Sequence, residues 1–111
     1  MPNLVNNEDM EVTSSGEGWQ ELSLADAQTF GAAAMIARRW ILEPGARGPE
    51  LEHGDADQLL FVIRGSGQAI VDGVAMRLSE ESMLWLEPGE RYRFVAGTDG
   101  VEILQGYAPD A

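Results

Sequence analysis

From Trp19 onward, short apolar runs alternate with turn residues at the close spacing of an all-β sandwich or barrel. The run LLFVI, Leu59 to Ile63, is short, continuous and rich in β-branched and aromatic residues, the pattern of a buried strand. In GQAIVDGVAMRL, Asp72 and Gly73 stand between two apolar runs and can supply the positive φ angles of a type I′ turn, which predicts a hairpin. Glu87-Pro88-Gly89-Glu90 divides MLWL from YRFVA, and Gly97 to Gly100 divides that strand from VEILQGY. Strands are therefore predicted near 19–24, 33–42, 59–64, 67–72, 74–78, 83–87, 91–96 and 101–107. Between Leu24 and Ile36 the alanines at 25, 27, 32, 33 and 34 favour a helix, whereas Gly31 in the middle opposes a long one; both readings stay open. Residues 1–18, with Asn, Ser and Gly and no aromatic side chain, read as a flexible N-terminal arm or one edge strand ahead of a barrel spanning 19–111.

Composition narrows the functional classes. A chain of 111 residues has room for one domain with one core, and its 44% hydrophobic share is that of a globular protein. The absence of cysteine removes disulfides, thiolate metal ligands and a cysteine nucleophile together. Nineteen acidic residues face seven basic ones, all arginine, for a net charge of −12. That charge repels polyphosphate and anionic lipid, so neither nucleic acid nor a membrane surface is an expected partner. No apolar stretch approaches the ~20 residues needed to cross a bilayer and the N-terminus lacks a signal pattern, which sets a cytoplasmic expectation. There is no Gly-rich phosphate loop, nucleophile elbow or metal-binding helix motif, and the single histidine limits any Ser-His scheme.

The stretch GARGPELEHGDADQLLFVIRG, from Gly45 to Gly65, has the spacing of a known motif with several of its residues changed. The chain resembles the cupin family, whose first motif runs Gly, five residues, His, one residue, His, a short gap, Glu, six residues, Gly. Gly45 and Gly65 fall on the two glycines, Leu51 on the first histidine, His53 on the second and Gln58 on the glutamate. In the second motif Gly89 fits the glycine and Tyr92 takes the histidine position, with Glu87 where the proline belongs and Pro88 following it. The resemblance covers roughly Trp19 to Pro109 and implies a double-stranded β-helix, or jelly-roll, barrel with a metal or small ligand in its mouth.

Metal-binding cupins use the two first-motif histidines, the glutamate and the second-motif histidine, and only His53 matches among these four. Leu51 has no lone pair, Gln58 offers an uncharged carbonyl, and Tyr92 must lose a proton of reference pKa about 10 before it becomes a strong ligand. A divalent transition metal usually needs about three or four good donors, so no tightly held cofactor is expected. A divalent metal on an atypical set of His53, Gln58 and Tyr92 stands as an alternative. Glu50, Glu52, Asp55 and Asp57 surround His53, but if Leu51 and His53 point inward, strand alternation sends Glu50 and Glu52 to solvent.

If the family positions converge, His53, Gln58 and Tyr92 place a titratable group, an amide and a phenol in a mostly apolar barrel. That mixture suits a neutral or anionic organic ligand. Of the adjacent Arg38 and Arg39, alternation turns one toward the barrel, and Arg39 is the candidate to hold a ligand carboxylate. Gln105 and Tyr107 either line the pocket or meet a second subunit, and Gln105 is counted among the candidate ligand contacts. Trp40, Trp85, Phe61 and Phe94 read as core or dimer contacts. The leading expectation is a small cupin, homodimeric by resemblance, that binds a small organic molecule without a tight metal. The alternatives are a metal-free isomerase, epimerase or lyase with His53 and Tyr92 as its catalytic pair, and a metal-dependent oxygenase or isomerase with unusual ligands.

Overall fold

The computed structural model describes residues 12–25, 36–52 and 57–107. Within them every regular element is a strand: β1 (Val12–Gly16), β2 (Trp19–Ala25), β3 (Ile36–Leu42), β4 (Leu51–Glu52), β5 (Gln58–Val71), β6 (Val74–Leu78), β7 (Met83–Leu86) and β8 (Arg91–Tyr107). Most of the alanine-rich segment, at 26–35, lies outside the described residues, as do His53 and Asp55. All pairings are antiparallel, in the order β1-β2-β3-β8-β5-β6, with β4 added to β8 and β7 to β5.

Two strands organise the molecule. The predicted strands at 59–64 and 67–72 are one continuous strand, β5, and those at 91–96 and 101–107 are likewise one, β8. The first half of β5 pairs with the second half of β8, and the second half of β5 with the first half of β8. The register slips between Val62 and Arg64 and again between Gly65 and Gly67, and the ladder bends there. One layer thus holds β1, β2, β3, the end of β8, the start of β5 and β7. The other holds β4, the start of β8, the end of β5 and β6, and backbone bonds from Gly48 to Phe94 (2.8 Å) and from Ala96 to Ala46 (2.8 Å) lay the segment before β4 along β8.

Alternation along these strands builds the core between the layers. Trp40, Leu42, Leu60, Val62, Val101 and Ile103 from the first layer meet Ala69, Val71, Leu78, Tyr92, Phe94 and Ala96 from the second. Trp40 and Phe94 join the layers edge to face, with ring centroids 5.7 Å apart. The hairpin between β5 and β6 closes on Asp72 (φ 47°) and Gly73 (φ 84°), the two positive angles of the predicted type I′ turn. β1 is an exposed edge strand paired to β2.

Candidate functional site

Two strands bring three polar side chains into the otherwise apolar interior. Gln58 opens β5, Gln105 lies near the end of β8, and Tyr92 near its start; all three are buried. Gln105 stands beside Leu60 and Arg38 in the first layer, and Tyr92 beside Val71 and Leu51 in the second, so the amides and the phenol meet across the barrel.

Hydrogen-bond chemistry fixes their orientation. The indole Nε1–H of Trp40 can only donate, and it donates to Gln105 Oε1 at 2.8 Å. That turns Gln105 Nε2 toward its other neighbours, where it donates to the Tyr92 hydroxyl at 2.7 Å and to Gln58 Oε1. Gln58 must therefore present its oxygen to Gln105, because two amide NH₂ groups cannot bond to one another. Its Nε2 is left buried with no hydrogen-bond partner among the described residues. Tyr92, already accepting from Gln105, keeps its own proton free to donate.

Burial pushes the Tyr92 phenol above its ordinary value, the Gln105 amide that donates to it partly offsets this, and Tyr107 and Glu21 push it further up. The phenol is therefore a neutral hydrogen-bond donor at physiological pH. Together the Gln58 amide and the Tyr92 hydroxyl present two uncharged donors suited to a carbonyl, carboxylate or hydroxyl oxygen. Beside these groups the rings of Trp19, Trp40, Phe94 and Tyr92 follow one another in tilted and edge-to-face contact.

The register places the expected guanidinium differently. Trp40 and Leu42 are core, so Arg38 shares their inner face and Arg39 does not. Arg39 lies opposite Leu104 on the outer face, where it holds Glu102 at 2.5 Å beside Arg64 at 3.0 Å from the same carboxylate. The inward position belongs to Arg38, which pairs in register with Gln105 and Ser23 and has Nε 3.7 Å from Glu21. Glu21, on the face of Trp40, and Tyr107, in register with Gln58, complete a polar end to the inner surface. Reading alternation outward from Trp40 and Leu42 would have chosen Arg38, whereas Glu21 carried no sequence signal. His53, the one residue that matches a family metal ligand, lies outside the described residues.

As a metal centre the described donors fit poorly. The Gln58 oxygen is engaged by Gln105, the Tyr92 phenol is held protonated, and Leu51 packs against the core. No group of three or more His, Cys, Asp or Glu side chains suited to a metal ion is assembled among the described residues. No helix among the described residues is long and apolar enough to cross a membrane.

The chain shares its architecture with solved structures of distant sequence. KdgF from Halomonas sp. superposes with a TM-score of 0.80 at 18% identity, covering 100% of this chain and 96% of that one. An RmlC-like cupin from Shewanella frigidimarina gives a TM-score of 0.78 at 21% identity, over 98% of this chain and 92% of that one. The polyketide cyclase RemF from Streptomyces resistomycificus gives 0.79 at 17% identity, over 97% and 80% of the two chains. No curated protein sequence matches significantly. Residues 38–104 match the Cupin_2 family, described as a cupin domain, and with the double-stranded barrel and the two aligned motifs this places the chain in the cupin family.

Proposed function

We propose that this cupin binds a small organic molecule inside its barrel, through Gln58, Tyr92 and Gln105, without a tightly held metal. The observation that carries this reading is the Gln58 Nε2 group, buried, oriented by its neighbours and without a hydrogen-bond partner among the described residues. Leaving such a donor unmet costs roughly 1–3 kcal/mol, which a ligand oxygen would offset on binding. His53, by its family position, is a further expected contact. The donors favour an acceptor oxygen on the ligand and the neighbouring aromatic rings favour a planar or apolar body.

A thermal-shift screen of carboxylic acids, sugars and phenolics, followed by calorimetric titration of the hits, tests the reading. Gln58→Met and Tyr92→Phe are expected to melt within a few degrees of wild type yet bind a hit at least tenfold more weakly. Hits of unchanged affinity in both variants, or no hit at all, would overturn it.

One observation favours a second reading. The Tyr92 hydroxyl keeps a proton to donate, and with His53 as its partner it would support metal-free proton transfer to a strongly basic oxyanion formed beside it. RemF, a polyketide cyclase, supports an enzymatic use of the same architecture. Loss of turnover in both His53→Ala and Tyr92→Phe, with melting unchanged, would favour catalysis over simple binding.

We also propose a homodimer joined through the outer face of the first layer. There Leu59, Met83, Trp85 and Leu104 are exposed on neighbouring strands, an apolar patch that a second copy would cover.

A further inference from the structure

We propose that the outer face of the second layer carries a separate binding site for a compact organic dianion, a dicarboxylate or a phosphate monoester, built on Arg47 and Arg93. The charge distribution motivates it. The chain carries −12 overall and only seven cationic side chains, yet Arg47, Arg91 and Arg93 line a single cavity of about 320 Å³.

The strands explain why these side chains converge. Tyr92, Phe94 and Ala96 of β8 point into the core, so Arg91, Arg93 and Val95 point out. Arg47 is bridged in antiparallel register to Val95, and Ile70 of β5 pairs with Arg93. Arg93 of β8 and Arg47 of the segment bridged to it thus share the outer face, and both line the cavity together with Ile70.

The arginines differ in what they already hold. Arg91 lies 3.8 Å from Glu50 and 3.6 Å from Glu52, and its backbone N–H donates to Asp72 Oδ1 at 3.0 Å. Arg47 and Arg93 have no carboxylate partner among the described residues. Moreover, Arg93 Nε is shielded from solvent and has no hydrogen-bond acceptor there. In a chain with a large excess of carboxylates, two neighbouring arginines are thus unmatched among the described residues, one with a buried N–H unmet. An oxyanion entering the cavity would meet the terminal guanidinium N–H groups, reaching Nε once the Arg93 side chain turns toward it, and two planar forks accept two carboxylates or one phosphate in bidentate geometry. The volume is near the small end of the usual ~300–1,000 Å³ for ligand sites, and Glu50 and Asp72, which also line the cavity and are engaged by Arg91, disfavour extended polyanions. A small dianion fits where nucleic acid does not.

Spectra of the arginine Nε–H groups in ¹⁵N-labelled full-length protein test this directly, with inorganic phosphate and succinate titrated separately at constant ionic strength. A saturable shift of the Arg93 signal with at least one probe is expected. Binding of phosphate alone assigns the site to phosphate monoesters, and of succinate alone to dicarboxylates. Arg47→Gln and Arg93→Gln, each checked for an unchanged melting temperature, should weaken binding at least tenfold, and Arg93→Lys several-fold because it keeps the charge and loses the fork. Arg77→Gln removes the same charge from β6, outside the cavity, and should change affinity less than twofold. Shifts that rise without saturating for both probes, or an Arg77→Gln loss equal to that of Arg93→Gln, would overturn the site and leave only diffuse attraction.

Discussion

An indole can donate a hydrogen bond but never accept one, and at Trp40 that limit orders the barrel interior. It fixes the amide of Gln105, which fixes Gln58 and leaves the Tyr92 proton free. Because burial raises the Tyr92 phenol above the value it has in the unfolded chain, the folded state keeps its proton after the unfolded state has begun to lose it. Stability from this group is therefore fully present below about pH 10, the unfolded value, and falls as the pH climbs from there through the higher folded value. Denaturant midpoints measured from pH 8 to 12 should show this fall in wild type and a smaller one in Tyr92→Phe. Absorbance at 295 nm, taken as the difference between the two proteins, should place the Tyr92 transition above the ordinary phenol range. At this scale the motif spacing supplied Gln58 and Tyr92. The partner that joins them, Gln105, was ambiguous because alternation alone cannot say which face of a strand is inside. The buried Trp40 and Leu42 on β3 settle that for Arg38, and through the ladder for Gln105.

Among elements, the bend shared by β5 and β8 has no local signature. Gly65 to Gly67 and Gly97 to Gly100 look like turns between separate strands, and a local reading divides each strand in two. Only pairing between distant segments reveals that the chain continues. Gly65 sits at φ 84°, and a methyl group there would run into the carbonyl of Gly100 on the partner strand. Gly73 has the same φ of 84° but opens onto free space. Gly73→Ala should thus cost about 1 kcal/mol of backbone strain, and Gly65→Ala, which adds the clash to the strain, about 3 kcal/mol or more. Equilibrium urea unfolding of the two variants checks the difference, and equal losses would mean that the corner yields easily.

For the whole molecule, the two outer faces differ: the first layer carries an apolar patch beside the Arg39–Glu102–Arg64 ion pairs, and the second an arginine-lined cavity. The proposed dimer predicts that Trp85→Glu, which places a charge in the centre of the apolar patch, halves the mass measured by light scattering at micromolar concentration without lowering secondary structure. A wild-type monomer under those conditions would remove the proposal. The barrel was legible in the sequence because its motif glycines and turn pairs survive even where the ligand positions have changed, whereas face character emerges only once strands are placed side by side. The position of β8 carries one more consequence. It is the last described strand in the chain, yet in the sheet it lies between β3 and β5. On the ribosome both earlier strands emerge with one edge unmatched, and only local pairings such as the β5–β6 hairpin can form before β8 follows. Assembly is therefore held back until nearly all of the barrel has been synthesised, and the exposed edge of Leu59–Ile63 is the segment most open to pairing with another nascent chain during the wait.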